Sequence, residues 1–166
     1  MEEIVNKVAK SGLITFDFAE HYPEGKRMAI DIKDQLWMGM ALKEKDFREF
    51  IASHDWAAYT DAFVHVYCTA DAIIPHWAYM LVVSKLTGIA AFVYVGSQEE
   101  METAIFNQVI QNLDLENYRD ARVVVKGCSD RYVPTAAYAL LVNKLQPVVK
   151  SLMFGEPCST VPVYKK

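Results

Sequence analysis

The spacing of apolar residues changes along the chain, and each change marks an element. Apolar positions recur every three to four residues in EKDFREFIASHD, which predicts an amphipathic helix, whereas AFVHVYC and IAAFVYVG are short apolar runs typical of buried strands. Pro75 opens the helix PHWAYMLVVSKL, because proline lacks the amide hydrogen that a first turn leaves unbonded, and Thr87-Gly88 ends it. Residues 44–97 therefore predict helix, strand, helix, strand.

The same order of elements recurs 59 residues later. Residues 51–97 align without a gap on residues 110–156 with 16 identities in 47 positions, where average composition would give about three. The second copy contains EEMETAIFNQVIQNL, ARVVVKG, PTAAYALLVNKL and VVKSLMFG, and Ser97 with Glu100 forms a capping box at its start. Only two copies are present, so the pattern predicts a duplication within one domain.

Strands joined through single helices pair in parallel with right-handed crossovers. We therefore expect an α/β fold, a three-layer sandwich with a mostly parallel sheet, built from a tandem duplication of a helix-strand-helix-strand unit. LITFDF and RMAIDIK flank the turn HYPEGK and predict an N-terminal β-hairpin, and EPCSTVPVYKK, with two prolines, predicts an extended coil. The expected single domain, 1–166, comprises an N-terminal helix and hairpin (1–43), two repeat units (44–97 and 98–156) and an extended tail (157–166).

Composition narrows the possible partners. The hydrophobic fraction is 52% and the net charge is -4, so we expect a packed globular core and no nucleic-acid partner. MEEIVNKVAK has no signal-peptide character, and no apolar run approaches the ~20 residues of a membrane span, which predicts a cytoplasmic protein with no membrane partner. The three cysteines form no CxxC pair, so no disulfide framework is expected.

Candidate chemistry lies where strands run into helices. In parallel sheets, ligands bind beyond the carboxyl ends of the strands. Cys68 ends one strand, and a one-residue shift in the loop places Cys128 at the equivalent position, where the following helix N-terminus can lower a thiol pKa. Asp71 and Asp130 supply one carboxylate to each loop. The candidate catalytic residues are therefore Cys68, Cys128, Asp71 and Asp130.

The same cysteines are candidate metal ligands. Cys158, three residues after Gly155, is placed to fold back towards the other two thiols, and His76 begins the helix after Cys68. Thiolate and imidazole ligands suit zinc, iron or an iron-sulfur cluster. Buried cysteines also serve as small core residues, and loop aspartates form turns, so a purely structural role stays open. The candidate metal ligands are Cys68, Cys128, Cys158 and His76.

Other residues fit packing better than chemistry. Trp37, Trp56 and Trp77 are expected in the core. The chain contains no GxGxxG, Walker, HExxH or GxSxG pattern, so no nucleotide, zincin or serine-hydrolase motif is available.

Several segments resemble known families. LKEKDFRE, HDW, DAIIPHWAYML, KGCSD and VNKLQPVVKSLMFGEPCSTVPVYKK resemble a bacterial family catalogued only as domain of unknown function 2480, over nearly the whole chain. That resemblance implies no established activity, but it implies a gene neighbourhood near iron-sulfur assembly genes and, from that, sulfur or iron handling. VHVYCTADAIIPHWAYMLVVSKLTGIAAFVYVGS looks like the strand, cysteine loop, helix and strand of rhodanese-type sulfurtransferases, which would make Cys68 a persulfide carrier. TADAII lacks the glycine and arginine of their sulfur-binding loop.

Two functions are expected, and whether the chain is an enzyme stays open. The first is cysteine-based handling of sulfur, persulfide or metal, linked to iron-sulfur assembly. The alternative is a non-catalytic adaptor that binds another protein or a second copy through its helices and tail. A small-molecule enzyme would instead use Asp71 and Asp130 in a polar cleft between their loops.

Overall fold

The computed structural model describes residues 12–127 and 130–166. Within these ranges the chain is a mixed α/β protein. The strands are β1 (Leu13–Asp17), β2 (Arg27–Asp31), β3 (Phe63–Tyr67), β4 (Phe92–Val95), β5 (Arg122–Lys126), β6 (Ser151–Glu156) and β7 (Ser159–Lys165). The α-helices are α1 (Glu44–Ser53), α2 (His76–Leu86), α3 (Gln98–Gln111) and α4 (Thr135–Leu145). The N-terminal helix predicted before β1 lies outside the described residues.

Residue contacts divide the chain into two compact units. Glu24–Ile105 forms a continuous unit, which we call the inserted unit. Met1–Pro23 and Phe106–Lys166 form the other, which we call the split unit, because the inserted unit interrupts it in sequence. The strands form two separate sheets, so the expectation of a single sheet is wrong.

The inserted unit is a parallel sheet with two helices packed on one face. Its strand order is β2-β3-β4, and Val64 of β3 lies opposite Met28 of β2 and Val93 of β4. Consecutive strands with two right-handed crossovers place both helices on the same side. The resulting core contains residues from β2, β3, α1 and α2, among them Ile30, Val64, Val66, Phe47, Ile51, Ala78, Val82 and Leu86.

The split unit has the same plan with one strand added. Its order is β1-β5-β6-β7, in which the first three strands are parallel and β7 is antiparallel to β6. Parallel pairing is therefore confirmed in both units. The core again joins one face of the sheet to two helices, through Phe16, Val123, Val125, Leu152, Phe106, Ile110, Ala137, Leu141 and Leu145.

Backbone hydrogen bonds repeat between the units at the spacing of the sequence identities. Asp61 and Asp120 have positive φ values of 57° and 53°. The Asp61 amide donates to the Ile89 carbonyl over 2.9 Å, and the Asp120 amide donates to the Val148 carbonyl over 2.8 Å. Asp61 thus makes the same turn before β3 that Asp120 makes before β5.

The predicted N-terminal hairpin is wrong. β1 pairs in parallel with β5 and β2 pairs in parallel with β3, so the two strands belong to different sheets. Both strands have the same burial pattern, and Phe16 and Ile30 occupy the same place in it. The alternation of LITFD and RMAID revealed strands with one buried face, but it carried no information about their partners.

The predicted extended coil at the C-terminus is also wrong. Residues 159–165 form β7, which pairs with β6. Pro162 lies opposite Met153 next to a register shift in this ladder. Proline is tolerated there because β7 is an edge strand, whose outward amides need no partner in the sheet. No helix among the described residues has the length and apolar character needed to cross a membrane.

Candidate functional site

Cys68 lies at the carboxyl end of the central strand of the inserted unit. It follows β3 directly, is half-buried, and packs against the edge of the core. Its Sγ lies 3.8 Å from the carbonyl oxygen of Ala70. The thiol therefore borders the loop between β3 and α2, which is the region where parallel α/β sheets bind ligands.

Asp31 ends the neighbouring strand β2 and binds the same loop. Its carboxylate accepts hydrogen bonds from the Thr69 hydroxyl at 2.6 Å, the Thr69 amide at 3.1 Å and the Lys33 amide at 2.9 Å. Desolvation raises the pKa of Asp31, but these hydrogen bonds and the Lys33 charge outweigh it and hold the pKa below its usual value. Asp31 thus fixes the start of the Cys68 loop to the end of β2.

Tyr79 of α2 completes a polar cluster with these residues. Burial raises the pKa of the Tyr79 phenol, and electrostatic interactions with Cys68 and Asp31 raise the same pKa further. We call Asp31, Cys68, Thr69 and Tyr79 the Asp31 cluster. It combines a carboxylate, a thiol, a hydroxyl and a phenol at one end of the sheet, so its chemistry is that of an accessible thiol beside an anion.

The split unit carries a different set of groups at the corresponding place. Asp17 ends β1 as Asp31 ends β2, and its carboxylate accepts a hydrogen bond from the Ala19 amide at 2.8 Å. Lys126 Nζ lies 3.5 Å from Asp17 and 3.8 Å from Glu156. This end of the split unit is therefore an ion-pair network. Cys128, predicted to be a site residue here, lies outside the described residues.

The remaining predicted site residues are exposed. Asp71 and Asp130 lie in the loops before α2 and α4, and His76 is the first residue of α2. Cys158 lies in the turn between β6 and β7. Over residues 12–127 and 130–166, no three His, Cys, Asp or Glu side chains come together in a way that could hold a metal ion.

Asp31 and Asp17 are site residues that the sequence reasoning missed. A signal existed, because ITFDF and MAIDI share an aspartate between two apolar positions. The assignment of these segments to a hairpin concealed their equivalence, since it placed the two aspartates in one sheet.

Apolar clefts lie beside α2 and α4 in corresponding positions. In the split unit, a cavity of about 440 Å³ is lined mainly by apolar side chains, and the rings of Tyr138 and Phe154 meet edge to face with centroids 5.9 Å apart. Val163 of β7 forms part of its wall. In the inserted unit, an open cleft of about 360 Å³ runs between α2 and β4, lined by Tyr79, Met80, Val83, Ser84, Thr87 and Val95.

The inserted unit also exposes large apolar side chains. Trp37 is 48% exposed, so its predicted place in the core is wrong, whereas Trp56 is buried as expected. A backbone bridge between Trp37 and Ala41 closes a tight turn that carries Met38 and Met40, which are 69% and 61% exposed. We call residues 37–41 the Trp37 turn. Lys43 Nζ lies 4.3 Å from the centre of the Trp37 ring and holds the ring by a cation-π contact.

Comparison with known proteins identifies a family without transferring an activity. No curated protein and no solved structure matches this chain. A family model described as "Protein of unknown function (DUF2480)" matches residues 2–166. The chain therefore belongs to the DUF2480 family.

Proposed function

We propose that the protein is a non-catalytic adaptor that binds another protein through the inserted unit. The observation that carries this proposal is the Trp37 turn, in which three large apolar side chains point into solvent. Exposed apolar groups of this size cost solvation free energy unless a partner covers them. Their clustering within five residues favours a contact surface over scattered exposure.

The chemistry of the Trp37 turn suits recognition. Tryptophan and methionine are enriched at the centres of protein interfaces, because they bury a large area and methionine adapts its shape to the partner. The bridge to Ala41 and the contact with Lys43 hold the turn before binding. A pre-ordered turn loses less conformational entropy when it binds.

A photo-crosslinking experiment tests the adaptor proposal. A benzophenone amino acid is placed at Met40 or, as a matched control, at Glu49, an exposed position on α1 of the same unit. We expect discrete crosslinked products from position 40 only. Trp37→Ala should weaken them, because a central tryptophan contributes about 2 kcal/mol, or roughly 30-fold in affinity. Equal products from both positions, or products that survive Trp37→Ala, would overturn the proposal.

A second candidate function is favoured by the Asp31 cluster. We propose that Cys68 carries sulfur as a persulfide, in line with the rhodanese-like order of strand, cysteine loop, helix and strand. In that step the Cys68 thiolate attacks the terminal sulfur of a persulfide donor, and the donor leaves as a thiolate. The half-buried thiol at the end of β3 supports this proposal, because it is accessible yet held in a defined loop.

Elemental analysis and thiol titration of protein purified without oxygen test this second candidate, including the wider expectation of zinc, iron or an iron-sulfur cluster. Sulfane sulfur or metal that is lost in Cys68→Ser and kept in Cys158→Ser would support it. Cys128→Ser tests the third cysteine in the same way. Protein without either component, and with a Cys68 thiol that reacts only after denaturation, would remove the candidate.

Three further expectations, a tandem duplication, a three-layer arrangement and a cytoplasmic location, stay proposals. A tandem duplication accounts for the repeated turns at Asp61 and Asp120 and for the shared order of elements. The three-layer arrangement of the whole chain stays a prediction. A cytoplasmic location is part of the proposal, because cysteine-based sulfur handling needs reduced thiols.

A further inference from the structure

The outer edge of β4 differs from the corresponding edge in the split unit. β6 of the split unit is covered by β7, which pairs with it over the whole strand. β4 occupies the position of β6 in the inserted unit, and no strand among residues 12–127 and 130–166 pairs with its outer edge. Two sheets of the same plan therefore end differently, and the split unit shows that an antiparallel strand fits this position.

The backbone of β4 offers hydrogen-bonding groups on its open side. The Phe92 amide donates inward to the carbonyl of Ala62, the residue before β3, and the amide of Gly96, the residue after β4, donates to the carbonyl of Val66 on β3. Because donors alternate along a strand, the amides of Val93 and Val95 point outward. In the split unit, the residues at these two positions are Leu152 and Phe154, and both are paired with β7.

The side chains along this edge lack the features that usually protect an edge strand. β4 reads FVYV, without charge or proline, whereas β7 contains Pro162 and ends at Lys165. Natural edge strands discourage pairing with charges, prolines and bulges. β4 thus lacks the charge and the proline that β7 carries, and its outer edge is suited to accept a strand.

The helix beside β4 extends the same apolar surface. Met80 of α2 is 69% exposed and borders the open cleft next to Val95, which is 45% exposed. The split unit has Ala139 at the position of Met80. A larger apolar side chain therefore occurs on the unit that lacks the covering strand, which enlarges the area that a partner could bury.

We propose that β4 pairs with β4 of a second copy of this chain. Two copies related by a two-fold axis place their edge strands antiparallel, the orientation that β7 adopts on β6. With Tyr94 on the axis, Val93 of one copy lies opposite Val95 of the other, so each such pair exchanges two hydrogen bonds. The sheet continues across both copies, and Met80 of each copy lies beside its partner's open cleft.

This inference deepens the adaptor proposal, because it names a second copy as one protein that the inserted unit binds. Light scattering coupled to size exclusion measures the mass directly against the chain mass of 18.8 kDa. We expect twice that mass for the native protein. Val95→Lys should return the mass to 18.8 kDa, because the charge would be buried at the new interface. Val95→Pro should do the same, since it removes an outward donor and no bond to β3.

The matched control is Val163→Lys, which introduces the same charge at a similarly exposed position on β7. It should stay dimeric. Circular dichroism confirms that each variant keeps its secondary structure. A native mass of one chain at about 100 μM, a dimer insensitive to both Val95 variants, or equal dissociation by Val163→Lys would overturn the proposal. The two proposals can fail separately. If the protein is a monomer but still crosslinks from position 40, only the second-copy proposal fails.

Discussion

At the scale of single residues, the inserted unit depends on polar groups that are satisfied inside otherwise apolar surroundings. Glu102 is 2% exposed, and its carboxylate binds Arg27 through two contacts of 2.9 and 3.2 Å. Arg27 also donates to the Gly25 carbonyl and lies over the Phe63 ring. Such a pair specifies one arrangement, because each charge would be costly to bury alone.

A mutant cycle tests this pair. Arg27→Met should lower the free energy of unfolding by about 3–5 kcal/mol, because Glu102 would stay buried without its counter-charge. Arg27→Met with Glu102→Met should recover most of that loss. Arg48→Met, which breaks the exposed pair with Glu44, provides the control and should cost less than about 0.5 kcal/mol in urea titrations. Equal losses in Arg27→Met and Arg48→Met would contradict a buried pair.

Asp31 makes the stability of the inserted unit depend on pH. Its pKa is lower in the folded protein than in the unfolded chain. The ionised carboxylate therefore contributes stability that is fully present above the unfolded pKa of about 3.9 and is lost as the pH falls through the folded pKa. Removal of the Thr69 hydroxyl should raise the folded pKa towards the unfolded value.

Thr69→Val should consequently cost about 1 kcal/mol at pH 7 and progressively less as Asp31 becomes protonated. Unfolding in urea at a series of pH values measures this difference. The control is Thr60→Val, whose hydroxyl donates to the Ala57 carbonyl and not to a carboxylate. The cost of Thr60→Val should not change with pH, and a parallel pH dependence in both variants would refute the role of Asp31.

At the scale of elements, local sequence predicted which segments form helices and strands, but it did not predict which strands pair with each other. The four α-helices in the part of the chain that the structure describes lie where the sequence predicted them, and the capping box is confirmed, since the Glu100 amide donates to Ser97 Oγ at 3.2 Å. The partners of β1 and β2 could not be predicted, because each pairs with a strand beyond at least one helix. The tail and Trp37 were misassigned, since proline also suits an edge strand and tryptophan also suits an interface.

Deletion of residues 157–166 should disturb the sheet of the split unit, because these residues include β7. The loss of a surface coil would leave the sheet intact. The deletion removes the ladder partners of Leu152 and Phe154, so β6 becomes an open edge. Hydrogen exchange at β6 should accelerate at least tenfold, and the melting temperature should fall. Val163→Ser, which changes an exposed side chain and keeps the strand, should leave β6 protected. Unchanged β6 protection after the deletion would show that β7 is dispensable.

At the scale of the whole molecule, the inserted unit separates parts of the split unit along the chain. Leu13 of β1 pairs with Arg122 of β5, 109 residues later, whereas Arg27 of β2 pairs with Phe63 of β3 only 36 residues later. Closing the longer loop costs more chain entropy, and long-range parallel pairing is slow. The inserted unit has the shorter loops and is expected to fold first.

Pulse-labelling hydrogen exchange during refolding tests that order. Amides of β3 should become protected before amides of β5, because β5 needs β1 from the opposite end of the sequence. A glycine-rich extension within the exposed turn at Gly25 should slow β5 protection only slightly, since loop entropy grows with the logarithm of length. Simultaneous protection of β3 and β5 would indicate that the two units fold as one.

The three tryptophans, Trp37, Trp56 and Trp77, all belong to the inserted unit. Trp37 is about half exposed with Lys43 over its ring, and the Trp56 indole donates to the Ile51 carbonyl at 2.9 Å within the core. Intrinsic indole fluorescence is therefore an optical label for one half of the molecule, while circular dichroism samples both halves. Superimposed denaturation curves from the two signals would establish a single cooperative transition, and separated curves would give each half its own stability without any added dye.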